Sequence, residues 1–160
     1  MPILESTADP EQRLKELGIS LPNAPKPLGA YVESVQTGNL LFLSGTLPVE
    51  GGKPKYVGRI GDDLRIEDGR RAAELAALNA LALAKEHLKS LSKVRKLVRL
   101  GVFLVTTHDF REHPKVADAA SELFLGVFGP ERMSTRLVLG MATLPLGMCV
   151  ELEVILEVAG

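Results

Sequence analysis

At 160 residues the chain is long enough for one well-filled hydrophobic core and too short for two domains of usual size. Its 46% hydrophobic and 24% charged residues are those of an ordinary soluble globular protein, and no apolar stretch approaches the ~20 residues that cross a bilayer. A net charge of −1 gives no overall field for a polyanion, and one cysteine, Cys149, with three scattered histidines gives no internal disulfide and no zinc ligand set.

The N-terminal run MPILESTADPEQRLKELG is acidic and mixed, without the basic start and apolar centre of a signal peptide, so the cytoplasm is the expected compartment. Asp9-Pro10 predicts a short helix start, with Leu14 and Leu17 on one side and Gly18 as its stop. LPNAPKPLG (21–29) carries three of the ten prolines and reads as an extended connector. We therefore expect a helical extension over residues 1–23 and a single domain over 24–160. Three strand-like runs follow, YVESVQTG from 31, LLFLSGTLPV from 40 and the weaker KYVGRIG from 55, with Glu50-Gly51-Gly52 as a hairpin turn.

Residues 67–91 are rich in good helix formers, with Leu75, Leu78, Leu81 and Ala82 at helical spacings and alanines that permit close approach to a sheet. LVRLGVFLVT (97–106) reads as a buried strand. A second long helix opens near His113-Pro114, carries Val116, Ala120, Leu123 and Val127 in its stripe, and stops at Gly129. Two strands close the chain, at 134–142 and 148–158. The order βββ-α-β-α-ββ predicts a two-layer α/β (α+β) domain, in which a mixed six-stranded sheet carries two helices on one face.

Alternation in the last strand puts Met148, Val150, Leu152, Val154, Leu156 and Val158 on the helix side, with Cys149, Glu151, Glu153, Ile155 and Glu157 opposite. In the preceding strand, Leu137, Leu139 and Met141 are expected to face the helices, which sends Arg136, Val138 and Gly140 to the outer face with Glu151. An outer face that is partly apolar and bears charges suits a contact between subunits.

The segments PLGAYVESVQTGNLLFLSGTLPV (27–49) and TRLVLGMATLPLGMCVELEVILEV (135–158) resemble the YjgF/RidA family of imine and enamine deaminases, some of which carry an endoribonuclease (L-PSP) label. The likeness extends over residues 24–158. It implies a chorismate-mutase-like fold, a homotrimer with clefts between neighbouring subunits, and cofactor-free hydrolysis of small 2-imino acids. It maps the arginine that holds the substrate carboxylate onto Arg136, whose planar guanidinium suits bidentate contact. It maps the water-activating carboxylate onto Glu151, since one carboxyl group can take a proton from water and return it to the departing ammonia. Tyr31, Ser44 and Gly45 fall on the family's pocket positions. Three positions depart from the common pattern. Leu137 follows the arginine where a serine or threonine is usual, Thr46 replaces a glutamine, and Asp118 stands at a pocket asparagine, where an acid facing the cleft would repel a carboxylate.

Two other functions remain open at this level. A trimer that binds a small carboxylate metabolite without turning it over would use the same clefts. An endoribonuclease needs a basic surface with aromatic residues for stacking, and the basic cluster Lys85, Lys89, Lys93, Arg95, Lys96 and Arg99 has no aromatic residue among it. Nucleic acid, membrane, metal and cofactor are therefore not among the expected partners. His87, His108 and His113 form no ligand or triad pattern, and read as surface or capping residues.

Overall fold

The computed structural model describes residues 9–160; residues 1–8 of the expected extension lie outside it. Helix α1 (Pro10–Glu16) begins at the Asp9-Pro10 pair, because a proline in the first turn lacks only an N–H that a helix start leaves unused. Gly18, at φ +67°, takes the left-handed conformation just beyond its end. The helix is docked on the domain: Leu14 joins the core, and Arg13 Nε donates to the Gly126 carbonyl at 3.0 Å. Glu11 accepts from Lys85 Nζ and from the Leu91 amide, each at 2.9 Å. Those two bonds pull the Glu11 pKa down against the upward push of its burial.

Strands β1 (Ser34–Thr37) and β2 (Leu40–Leu43) form an antiparallel hairpin. Next, β3 (Val49–Glu50) and β4 (Lys53–Pro54) make a small ribbon whose turn residues, Gly51 and Gly52, both have positive φ, as a tight two-residue hairpin requires. Residues 55–61, read from sequence as a strand, form a looped segment instead. It touches the rest through isolated bridges, Val57 to Met148 and Ile60 to Thr106. Tyr56, Gly58 and Gly61 all lie at positive φ, and the carboxylate of Asp63 packs against Gly58 where a side chain would stand. A backbone turned three times in six residues cannot hold a ladder.

The remaining elements are α2 (Ile66–Leu88), β5 (Val94–Val105), α3 (His113–Phe128), β6 (Thr135–Met141) and β7 (Val150–Val158). The main sheet has five strands in the order β1-β2-β7-β5-β6, so the expected six-stranded sheet is five strands plus the ribbon. Only β5 and β6 run parallel, joined through α3. Among the described residues no helix is long and apolar enough to cross a membrane.

Both long helices cover one face. The face of α2 that meets the sheet is made of Ala72, Ala73, Ala76, Ala77, Ala80 and Ala84, all fully or nearly fully buried, while Leu75 and Leu78 flank it half-buried. Small side chains bring the helix axis close to the sheet, and Leu100, Val102, Leu104, Val150, Leu152, Val154 and Leu156 fill the space between. On the other face, Val35, Phe42, Phe103, Leu137, Leu139 and Ile155 have no layer over them among the described residues; Val35, Phe42, Leu137 and Leu139 are each at least 40% exposed.

Candidate functional site

β7 lies between β2 and β5, and its burial alternates without a break from Val150 to Val158. Glu151, Glu153, Ile155 and Glu157 therefore point to the uncovered face, as alternation predicts. Cys149 departs from that reading. It precedes the strand, is fully buried in the core, and has its thiol pKa pushed up to about 12 by desolvation, so it acts as a packed apolar side chain.

Beyond β2 the chain continues as Ser44-Gly45-Thr46. Thr46 exchanges two 2.9 Å backbone hydrogen bonds with Leu152, which sets Gly45 beside Glu151. A Cβ at position 45 would collide with Glu151 Oε1 and lie 3.1 Å from its Cδ, so only glycine allows the carboxylate to rest on this backbone. Among the described residues no hydrogen bond or ion pair reaches that carboxylate, and burial raises its pKa above the ordinary 4.5. Such a group is a better proton acceptor than a surface glutamate. It opens into a hollow of about 420 Å³, walled by Phe42, Gly45, Phe103, Met141 and Ile155.

Gly45 also lines a second hollow of about 450 Å³, shared with Tyr31, Ser44 and Thr46. Two of those side chains already serve the local structure. The Tyr31 hydroxyl accepts from the Leu28 amide at 2.9 Å, and Ser44 Oγ donates to the Val32 carbonyl at 2.6 Å. Thr46 is 2% exposed, and its Oγ1 is buried without a partner. The wall is held by Asn79 of α2, which is buried and whose Nδ2 donates to the Leu47 and Val49 carbonyls at 2.8 and 3.0 Å. Asn79 was not singled out from sequence, although a lone amide in an alanine-rich helix face is the available signal. The prolines of the connector, Pro22, Pro25 and Pro27, complete the rim.

Arg136 is not with Glu151. β6 pairs with β5 in parallel so that Arg136, Val138 and Gly140 neighbour Leu100, Val102 and Leu104, all of which face the helices. Leu137 and Leu139 neighbour Gly101 and Phe103 and face outward, and Met141 lines the outer hollow. The expected facing of this strand is thus reversed. Both faces of β6 offer apolar residues, so its period of two does not say which set is inner, and the register with β5 decides. Arg136 Nη1 donates to Asp118 Oδ1 at 2.7 Å and to Ser121 Oγ at 3.2 Å, both on α3. Ser121, one turn beyond Asp118 on the same helix face, was missed for want of a partner to suggest it.

The structure therefore makes two groupings from the sequence-predicted residues. Glu151 meets Gly45 at the outer hollow, and Gly45 in turn lines the second hollow with Ser44, Thr46 and Tyr31. Arg136 and Asp118 meet at the β6 edge, on the opposite face of the sheet with β5 between. Of the histidines, His87 contacts Ser34 Oγ and Gln36 Oε1 at 3.2 and 2.9 Å on the surface, while His113 opens α3 and lies within 3.3 Å of where a side chain on Gly140 would stand. Arg99 of the basic cluster pairs with Glu153 at 3.2 Å.

Several known proteins are similar to this chain. A solved structure of the protein Atu1372 from Agrobacterium tumefaciens, of unknown function, superposes with a TM-score of 0.86 at 40% identity, covering 96% of this chain and 94% of that one. Protein TCP17 of Trypanosoma cruzi is 37% identical over 145 residues, 90% of this chain and 91% of that protein. A 2-iminobutanoate/2-iminopropanoate deaminase of Dermatophagoides farinae is 30% identical over 141 residues, 88% and 94% of the two chains. The family described as "YjgF/chorismate_mutase-like, putative endoribonuclease" matches residues 11–157, beginning inside α1. With its residues, layers and relatives in agreement, the chain belongs to the YjgF/RidA family.

Proposed function

We propose that the protein hydrolyses small 2-imino and 2-enamino acids to 2-oxo acids and ammonia, in clefts formed where copies of the chain meet as a homotrimer. One observation carries the reading: a half-buried Glu151 carboxylate, unpaired among the described residues, lies on a glycine backbone at the central strand of the sheet, while the Arg136 guanidinium stands on the edge strand β6. Neither grouping suffices alone. The uncovered apolar face that bears Glu151 supplies a reason for copies to associate, since Phe42, Leu137 and Leu139 are otherwise left in water. In the assembled cleft, Arg136 of one copy holds the substrate carboxylate near Glu151 of another. Glu151 takes a proton from water as the water oxygen bonds to the imine carbon and the C=N electron pair moves to nitrogen, which is protonated from solvent. The carbinolamine then loses ammonia: Glu151 returns its proton to nitrogen, the C–N bond breaks, and the hydroxyl proton passes to the Glu151 carboxylate as the carbonyl forms.

The test combines assembly with turnover. Sedimentation is expected to give a trimer, and Leu139→Glu, which puts a charge on the uncovered face, to give monomers. With 2-iminobutanoate generated enzymatically, the trimer is expected to release 2-oxobutanoate faster than buffer, and Leu139→Glu to lose that gain. Release no faster than buffer, or equal release by monomers, refutes the proposal. A second reading is favoured by the Asp118 carboxylate on Arg136: a trimer that binds a carboxylate metabolite without turnover. Saturable binding with no acceleration of release would select it.

A further inference from the structure

The ion pair at the β6 edge bears on which charge state of the substrate is recognised. Both hydrogen bonds of Arg136 leave from Nη1, and Asp118 takes its share through Oδ1 alone. Among the described residues nothing else takes the Nε–Nη2 edge of the planar guanidinium, which can make two parallel bonds to a carboxylate, and Asp118 Oδ2 is left as a further acceptor. The pair is open to a ligand, with the Arg136 side chain 27% and that of Asp118 50% exposed. Its formal charge sums to zero. A monoanion that docks on the guanidinium gains one ion pair and meets the Asp118 charge a few ångströms away, whereas a zwitterion finds a partner for each of its charges.

Building on the deaminase reading, we propose that Asp118 is a specificity-determining residue that makes this site select the protonated 2-iminio acid, its carboxylate on the open edge of Arg136 and its iminium N–H on Oδ2 of Asp118. The iminium is the form whose carbon water attacks most readily, so the residue that recognises the substrate also selects its reactive state. The 2-oxo acid product has no positive nitrogen, and the same arrangement favours its release. An asparagine at this place would hold Arg136 without discriminating in this way.

Stable probes of one carbon skeleton separate the charges: alanine carries both, propanoate only the carboxylate. Calorimetric titration of the full-length protein is expected to show alanine bound about 10-fold more tightly than propanoate, as for one added charge-assisted contact. In Asp118→Asn that preference falls to about one as propanoate binding strengthens, Asp118→Glu restores part of it, and Arg136→Ala loses both ligands. A thermal melt of Asp118→Asn close to the parent shows that the fold is kept. An unchanged preference in Asp118→Asn, tighter binding of propanoate than alanine by the parent, or no binding of either probe overturns the inference. The deaminase reading is scored separately by release of 2-oxobutanoate: turnover with no zwitterion preference refutes this inference alone, and a preference without turnover refutes the deaminase reading alone.

Discussion

Glu151 and Arg136 are two charges placed among apolar strand residues, and their surroundings have little in common. Glu151 sits on a strand hydrogen-bonded on both sides, half-buried, with no counter-charge and a glycine backbone under it. Arg136 sits on an edge strand against the polar side of α3, with one guanidinium nitrogen held by Asp118 and Ser121. The first environment withholds stabilisation from the charged form, and the second supplies it. A carboxylate so placed is ready to accept a proton, and a guanidinium so placed is an oriented fork. In the proposed reaction the difference gives chemistry to Glu151 on the central strand and recognition to Arg136 on the edge strand.

Removing the proton acceptor should break this division most severely. Glu151→Gln keeps the shape and is expected to lower kcat for 2-iminobutanoate by about 10²–10⁴-fold, the usual worth of a positioned acid–base group. Arg136→Ala is expected to cost about 10²-fold in kcat/KM, much of it in KM, because the arginine binds substrate and transition state alike. If both variants lowered kcat alone, the two ends would not have distinct roles. Gly45→Ala reaches Glu151 without touching its chemistry: the new methyl displaces the carboxylate, and about 10²-fold in kcat should follow from misplacement. The melting temperature should change little, since Gly45 carries no core contact.

The same comparison explains what was legible in the sequence. β7 has its two neighbours, one apolar face on the core, and glutamates on the other, so its alternation could be read directly. β6 has leucines on its outer face, and those leucines resembled a core set. Its parallel register with β5 is a long-range fact that local periodicity does not contain. The helices and the glycine turn of the ribbon were legible because capping and turn chemistry are local. The looped segment at 55–61 was not, since β-favouring Tyr56, Val57 and Ile60 are overruled by three positive-φ positions and by the Asp63 carboxylate packed on Gly58. Within the site, the resemblance supplied Tyr31, Ser44, Gly45 and Glu151 as a group, and tertiary structure alone supplied Asn79 and Ser121.

A smaller effect tests how firmly the Gly45 end is held. Asn79→Ala takes the donor from the Val49 carbonyl, leaves the Leu47 carbonyl with the Val49 amide alone, and opens a small void under the ribbon. We expect about 2–4 kcal/mol lower stability by denaturant unfolding. We also expect a higher KM for substrate. Asn79→Asp, which offers no donor at neutral pH, should be no better, and a loss below 0.5 kcal/mol in both would show that the ribbon holds itself.

The smallest effect asks whether the two ends sense each other in the assembled protein. Burial holds the Glu151 pKa above 4.5, so between 4.5 and the raised folded value the native state binds more protons than the unfolded chain. The stabilisation that protonated Glu151 contributes is complete below 4.5 and disappears as pH rises through the folded value. Gln at this position does not titrate. The melting temperature of the parent, measured against that of Glu151→Gln, should therefore fall as pH rises across this window and then level. A guanidinium from a neighbouring copy close to Glu151 acts in the opposite sense, favouring the carboxylate and making the parent gain on the variant as pH rises. Repeating the titration in Arg136→Ala separates the two influences. An identical downward drift with and without Arg136 would mean that burial alone sets the Glu151 charge, and that the arginine acts on the substrate and not on the base.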